Sequence, residues 1–185
     1  MSPPFSRYRH ILVVSFPRSG THVLLNTIQN NLSPDLTYKS WEYFSPTQQG
    51  VPIEGKDPPL KRKKFSPDLT CNYLIKSHAS SKKEIENQIG KKILADSKLV
   101  YIHRDPFEVM RSSYYYYPTW SKRCKNIIDN SLKKGGNSFK DFISKSGLLE
   151  EWVDSTMFWL SQENVLFITF DELINDYNAA LDSLS

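Results

Sequence analysis

Cysteine is scarce. Cys71 and Cys124 are the only two in 185 residues, too few for a disulfide framework or a cysteine-rich metal site. A reducing compartment is the simplest setting, and a cytoplasmic location is expected. Long apolar runs are missing too. No stretch approaches the roughly 20 residues of a membrane-spanning helix, and the opening residues MSPPFSRYRH contain no signal-peptide core. Neither sign of charge dominates: 24 Lys+Arg against 20 Asp+Glu leave a net +4, which favours anionic ligands without demanding nucleic acid. Asp, Glu and His form no cluster at metal-ligand spacing, and no internal repeat is present. The expectation is no metal, no nucleic acid and no membrane partner; oligomeric state is not legible.

What remains is globular. A hydrophobic fraction of 39% with 24% charged residues excludes a disordered chain, and the length fits a single domain over residues 1–185. The chain is organised around Ser15-Phe16-Pro17-Arg18-Ser19-Gly20-Thr21-His22. The short, β-branched run Ile11-Leu12-Val13-Val14 before it reads as a buried parallel strand. Leu24, Leu25 and Ile28 after it recur at helical spacing. A strand, a tight loop and a helix in that order leave unpaired N–H groups and a positive helix end at one point, a natural anion site. Gly20 permits close backbone approach, Ser19 and Thr21 bring hydroxyls, and Arg18 brings a fixed charge. The bland alternative is an ordinary turn with a surface arginine. The Walker pattern GxxxxGK[ST] is absent, which counts against a nucleotide kinase.

Further strands are expected at 72–76, 98–103 and 164–169, alongside 11–16. Helices are expected from Ser81 to about Gln88 with Gly90 as the stop, from Pro106 behind an Asp105 cap to a break near Pro118, over 138–146 and 148–161, and from Phe170 onward. Strands separated by helices imply an α/β fold, a parallel sheet whose ligands lie at the strands' carboxyl ends. Residues 32–70, punctuated by proline, read as a long Pro/Lys-rich loop. Within it Lys61, Arg62, Lys63 and Lys64 form either a solvated face or a contact for an acidic acceptor, and Trp41, Tyr43 and Phe44 either line an acceptor pocket or tack the loop down. The tyrosines at 114–117 read as packing; His10 and His103 read as structural.

Phe16-Pro17-Arg18-Ser19-Gly20-Thr21 resembles the 5′-phosphosulfate loop of sulfotransferases that use 3′-phosphoadenosine 5′-phosphosulfate (PAPS), where many members carry Tyr-Pro-Lys-Ser-Gly-Thr. Lys76-Ser77-His78 at a strand end resembles the family's Lys-Thr-His, and Arg104-Asp105-Pro106 followed by Ser112 resembles its Arg-Asn-Pro…Ser. The likeness covers about residues 11–28, 72–78, 99–116 and 150–183. It implies a three-layer sheet with helices on both faces, like that of P-loop proteins, and transfer of a sulfuryl group from PAPS to a hydroxyl or amine of a small-molecule or glycan acceptor, without a catalytic metal. It also implies His78 as base, Lys76 on the sulfuryl oxygens, Arg18 with Ser19, Gly20 and Thr21 at the donor's 5′ end, and Arg104 with Ser112 on the 3′-phosphate. Phe170 stands where members typically have an adenine-contacting tyrosine, so it either touches adenine or is a core phenylalanine. His22 replaces a common threonine and either touches the donor phosphate or competes as a base.

Many cytosolic members continue for roughly another hundred residues, an expectation from the resemblance, with an Arg-Lys-Gly loop over the donor. The chain is C-terminally short by that standard, ending at Ser185. An open donor site with weak binding is expected on that basis. The alternative is a non-catalytic truncated relative that binds a nucleotide or sulfated ligand.

Overall fold

A computed structural model of the protein describes residues 10–31, 38–42, 72–119 and 121–184. Five strands build one sheet: β1 (His10–Ser15), β2 (Tyr38–Glu42), β3 (Asn72–Ser77), β4 (Ser97–His103) and β5 (Val165–Thr169). Their order is β2-β3-β1-β4-β5 and every pairing is parallel. β1 lies at the centre because all six of its residues are buried, and only a strand flanked on both sides and covered on both faces accommodates such a run. Val13 aligns with Lys76 on one side and Val100 on the other, and Ser15 aligns with Ile102. The carboxyl ends of β1, β3 and β4 therefore finish level.

The four expected strands are present and neighbouring. The fifth corrects the expectation of a loop throughout 32–70, because residues 38–42 pair with β3 along the sheet edge. An edge strand does not need a continuous apolar run, so Tyr-Lys-Ser-Trp-Glu carries no obvious strand signal. The basic residues at 61–64, with Tyr43 and Phe44, lie outside the described residues.

Strand alternation sends side chains to two faces. Ile11, Val13, Leu74, Val100, Ile102 and Ile168 pack against α1 (Thr21–Asn31), α8 (Phe170–Asn175) and α9 (Tyr177–Leu184) through Leu24, Leu25, Ile28, Leu173 and Ala180. Leu12, Val14, Tyr73, Ile75, Leu99 and Tyr101 pack against α2 (Lys82–Ile89), α3 (Lys91–Ala95) and α7 (Leu148–Leu160) through Ile85, Ile89, Ile93 and Trp159. Burial of each such aliphatic side chain is worth about 1.5–3 kcal/mol, and Trp159 adds a 3.0 Å hydrogen bond from its indole N–H to the Ala79 carbonyl. This is the expected three-layer α/β arrangement.

α4 (Pro106–Tyr116) follows β4, and a 3-10 turn (Tyr117–Thr119) leads into α5 (Lys122–Lys133) and α6 (Ser138–Ser146). α5 buries only Cys124, Ile128 and Ser131, a stripe too polar to announce a helix by apolar spacing. With Tyr117 and Phe142, Cys124 and Ile128 form a satellite core. Phe16, Val109 and Met110 form another, which anchors the loop after β1 to α4. Among the described residues no helix is long and apolar enough to cross a membrane.

Candidate active site

The loop after β1 is held in an unusual shape. Arg18 has φ 72° and Gly20 has φ 94°. The left-handed region costs a residue with a side chain about 1–2 kcal/mol, and strain of this kind concentrates at functional sites. The Ser19 N–H donates to the Phe16 carbonyl at 3.3 Å, closing the turn. Ser19 is fully buried, and its hydroxyl has no partner among the described residues. Gly20 leads into Thr21, the first residue of α1, so the residue before this helix has no side chain to cap it. α2, α4, α5, α6 and α8 differ: each has a Ser, Asp, Asn or Thr side chain accepting from its first turn. Gly20 also has no room for a larger residue, because a Cβ there would lie 2.2 Å from Cδ2 of the Phe170 ring.

Around this loop the ends of β3 and β4 and the helix α4 close a cleft of about 390 Å³. Its lining includes Arg18, Gly20, Thr21, His22, Lys76, His78, Arg104, Ser112 and Phe170. Ser19 belongs to the same loop but is buried and is not part of the lining. All ten residues singled out in the sequence are thus brought to one place, from segments as far apart as residues 18 and 170.

The pairings within the cleft are specific. His78 Nδ1 lies 2.8 Å from the Ser15 carbonyl oxygen. A carbonyl only accepts, so Nδ1 carries the proton and Nε2 is left as the basic nitrogen. The Ser15 hydroxyl bonds in turn to the Thr21 hydroxyl at 2.6 Å. Lys76, only 4% exposed, donates from Nζ to His22 Nε2 at 2.9 Å. Arg18 donates from Nε to the Ser112 hydroxyl at 3.0 Å, and its guanidinium lies 4.1 Å from the centre of the Tyr116 ring. Ser112 is therefore joined to the first loop across 94 residues. Arg104 lies 4.4 Å from the centre of the Phe170 ring and 3.3 Å from the Glu108 carboxylate, which also pairs with Arg111 at 2.9 Å.

Two tyrosines were not expected in the site. Tyr116 and Tyr117 line the cleft, whereas Tyr114 packs edge-on against Phe139 and Phe142. The signal was available for Tyr116: it follows Ser112 by four residues, one helical turn, and so shares its face. Burial, with a smaller push from Glu151, raises the Tyr117 pKa far above the ordinary phenol value. Burial thus favours the neutral phenol of Tyr117 over the phenolate.

A family model described as Sulfotransferase domain matches residues 8–185. The chain belongs to the sulfotransferase family. It is 26% identical over 179 residues to Sulfotransferase 2B1 of Rattus norvegicus, covering 92% of this chain and 47% of that protein. To Sulfotransferase 2B1 of Homo sapiens it is 27% identical over 187 residues, covering 94% and 44%. The chain thus spans about half the length of the relatives it matches. Among solved structures it is similar to mouse sulfotransferase SULT7A1 complexed with PAP, with a TM-score of 0.54 and 22% identity over 95% of this chain and 56% of that one. It is also similar to retinol dehydratase in a complex with retinol and PAP, with a TM-score of 0.56 and 20% identity over 96% and 59%. At those identities the structural likeness speaks for the sulfotransferase fold alone.

Proposed function

We propose that the cleft transfers a sulfuryl group from PAPS to a hydroxyl or amine of a small-molecule acceptor. The observation that carries the reading is the convergence of the uncapped α1 loop, the buried Lys76, the oriented His78 and Arg104 on one cleft. The local chemistry suits the donor. The orphaned Ser19 hydroxyl and the uncapped N–H groups of α1 favour an anion at the loop, and Arg18, Lys76 and Arg104 supply charge for a ligand with several anionic groups. Family membership supports the donor, and so does PAP in the similar solved structures. The buried, unpaired Cys124 suits the reducing cytoplasmic setting that belongs to this reading.

The donor supplies a sulfuryl group on a phosphate leaving group. Transfer then depends on positioning and on meeting charge where it grows. His78 takes the acceptor's proton at Nε2, while the Ser15 carbonyl holds Nδ1–H and so keeps the ring in the useful tautomer. Lys76 holds its ammonium toward the sulfuryl oxygens. Arg18 and the backbone from Ser19 to Thr21 stabilise charge on the leaving side. Arg104 and Ser112 grip the 3′-phosphate, and Phe170 offers a ring face to the base.

The test is transfer of labelled sulfate from PAPS to a panel of phenols, sugars and amines. The expected result is transfer to at least one class, with His78→Ala lowering turnover by about two to four powers of ten and leaving affinity for the desulfated product unchanged. Binding of that product with no transfer to any acceptor would favour a non-catalytic relative.

A further inference from the structure

The bond between Lys76 Nζ and His22 Nε2 joins β3 to the first turn of α1 across 54 residues at 2.9 Å. Both residues line the cleft. An ammonium only donates, so His22 Nε2 accepts and its proton sits on Nδ1. The Lys76 side chain is buried and long, and a chain of that length has several rotamers open to it. A neutral imidazole on the rigid first turn of a helix gives the ammonium a hydrogen-bond acceptor that, unlike a carboxylate at the same place, adds no negative charge. Among the described residues that line the cleft, the other charged or titratable groups are Arg18, His78, Arg104, Tyr116 and Tyr117.

We propose that His22 is a positioning residue: it sets the Lys76 ammonium over the loop of α1, at the point where the group in transfer would sit. The proposal rests on the transfer reading above and adds to it that the contact from α1 helps to set the working position of Lys76. His22 then acts through Lys76, and neither binds the donor tightly itself nor takes the acceptor's proton.

The experiment compares His22→Leu, which removes the acceptor, with His22→Gln, whose side-chain oxygen reaches where Nε2 lies. His22→Leu is expected to lower kcat by about 10–100-fold, the range of a misplaced catalytic group, with affinity for 3′-phosphoadenosine 5′-phosphate within about twofold, and His22→Gln to recover most of the loss. In a Lys76→Met background His22→Leu is expected to add nothing, since the two residues act as one unit. A nitrogen-15 spectrum of the imidazoles gives a readout that needs no turnover. His22 should carry its proton on Nδ1 in the wild type, and Lys76→Met should let it redistribute toward Nε2. Wild-type protein with no transfer but this tautomer signature would sink the transfer reading and keep the Lys76–His22 unit. Additive losses, a fall in nucleotide affinity with kcat retained, or a tautomer indifferent to Lys76→Met would overturn the proposal.

Discussion

Two strand-to-helix junctions lie side by side at the carboxyl end of the sheet, and they treat the helix dipole in opposite ways. After β1, the chain turns through Gly20 into α1, and Gly20 has no side chain with which to cap the first N–H groups. After β4, the chain turns through Asp105 into α4; the Asp105 carboxylate accepts from the Glu108 N–H, Pro106 has no N–H to offer, and Glu108 adds a second negative charge. The positive end of α1 is open to an external anion, while that of α4 is filled by the protein's own carboxylates. The second junction can attract an anion only through a side chain, Arg104, which Glu108 and the Phe170 ring hold in place. One junction thus offers backbone N–H groups beside Arg18 and the other the Arg104 guanidinium, and on the proposed reading the two would meet unlike anionic ends of one ligand.

The comparison is broken most severely at Gly20. Gly20→Ala forces a Cβ onto the Phe170 ring at a φ of 94°, so strain and overpacking should together cost about 2–4 kcal/mol of stability. Denaturant unfolding measures the loss, and nucleotide binding should fall with it. A neutral outcome would mean that the loop does not need its shape. Asp105→Ala should cost about 1 kcal/mol, the usual worth of an N-cap, and leave nucleotide affinity alone, since that helix end serves only itself. Improved anion binding at α4 in this variant would sharpen the comparison; weaker binding would contradict it.

The smallest effect is at Glu172, which caps α8 and so helps to place Phe170. The Thr169 backbone N–H, then its hydroxyl, hold the Glu172 carboxyl below its ordinary range. A depressed carboxylate contributes stability above its unfolded pKa and loses it as pH falls through the folded value. Wild-type stability should therefore decline more steeply than that of Glu172→Gln as pH drops from about 5 toward 3. Parallel thermal-melting profiles would show that the cap does not titrate in this window.

Much of this was legible in the sequence because it is local. The buried run before Arg18, the two-residue spacing of Lys76 and His78 at a strand end, and the Asp105-Pro106 start of α4 are each encoded within a few residues. What escaped depends on contacts between distant segments. No local pattern announces that Arg18 bonds Ser112, that Lys76 bonds His22, or that the Phe170 ring lies on Gly20. β2 escaped because an edge strand tolerates mixed polarity, and α5 because its buried stripe includes a serine. Arg104 and Ser112 share a nine-residue motif, yet Ser112 bonds the other arginine of the cleft.

The division of labour between the two junctions is most directly tested by calorimetric titration with 3′-phosphoadenosine 5′-phosphate and with its 3′-dephospho analogue, on the wild type and Arg104→Ala. The wild type should prefer the 3′-phosphorylated nucleotide. Arg104→Ala should forfeit about 1.5–3 kcal/mol for that nucleotide, the worth of a charge-assisted contact, and almost nothing for the analogue, whose 5′ end still meets the α1 loop. Equal losses for both nucleotides would show that Arg104 does not read the 3′ end, and that the two junctions do not divide the ligand between them.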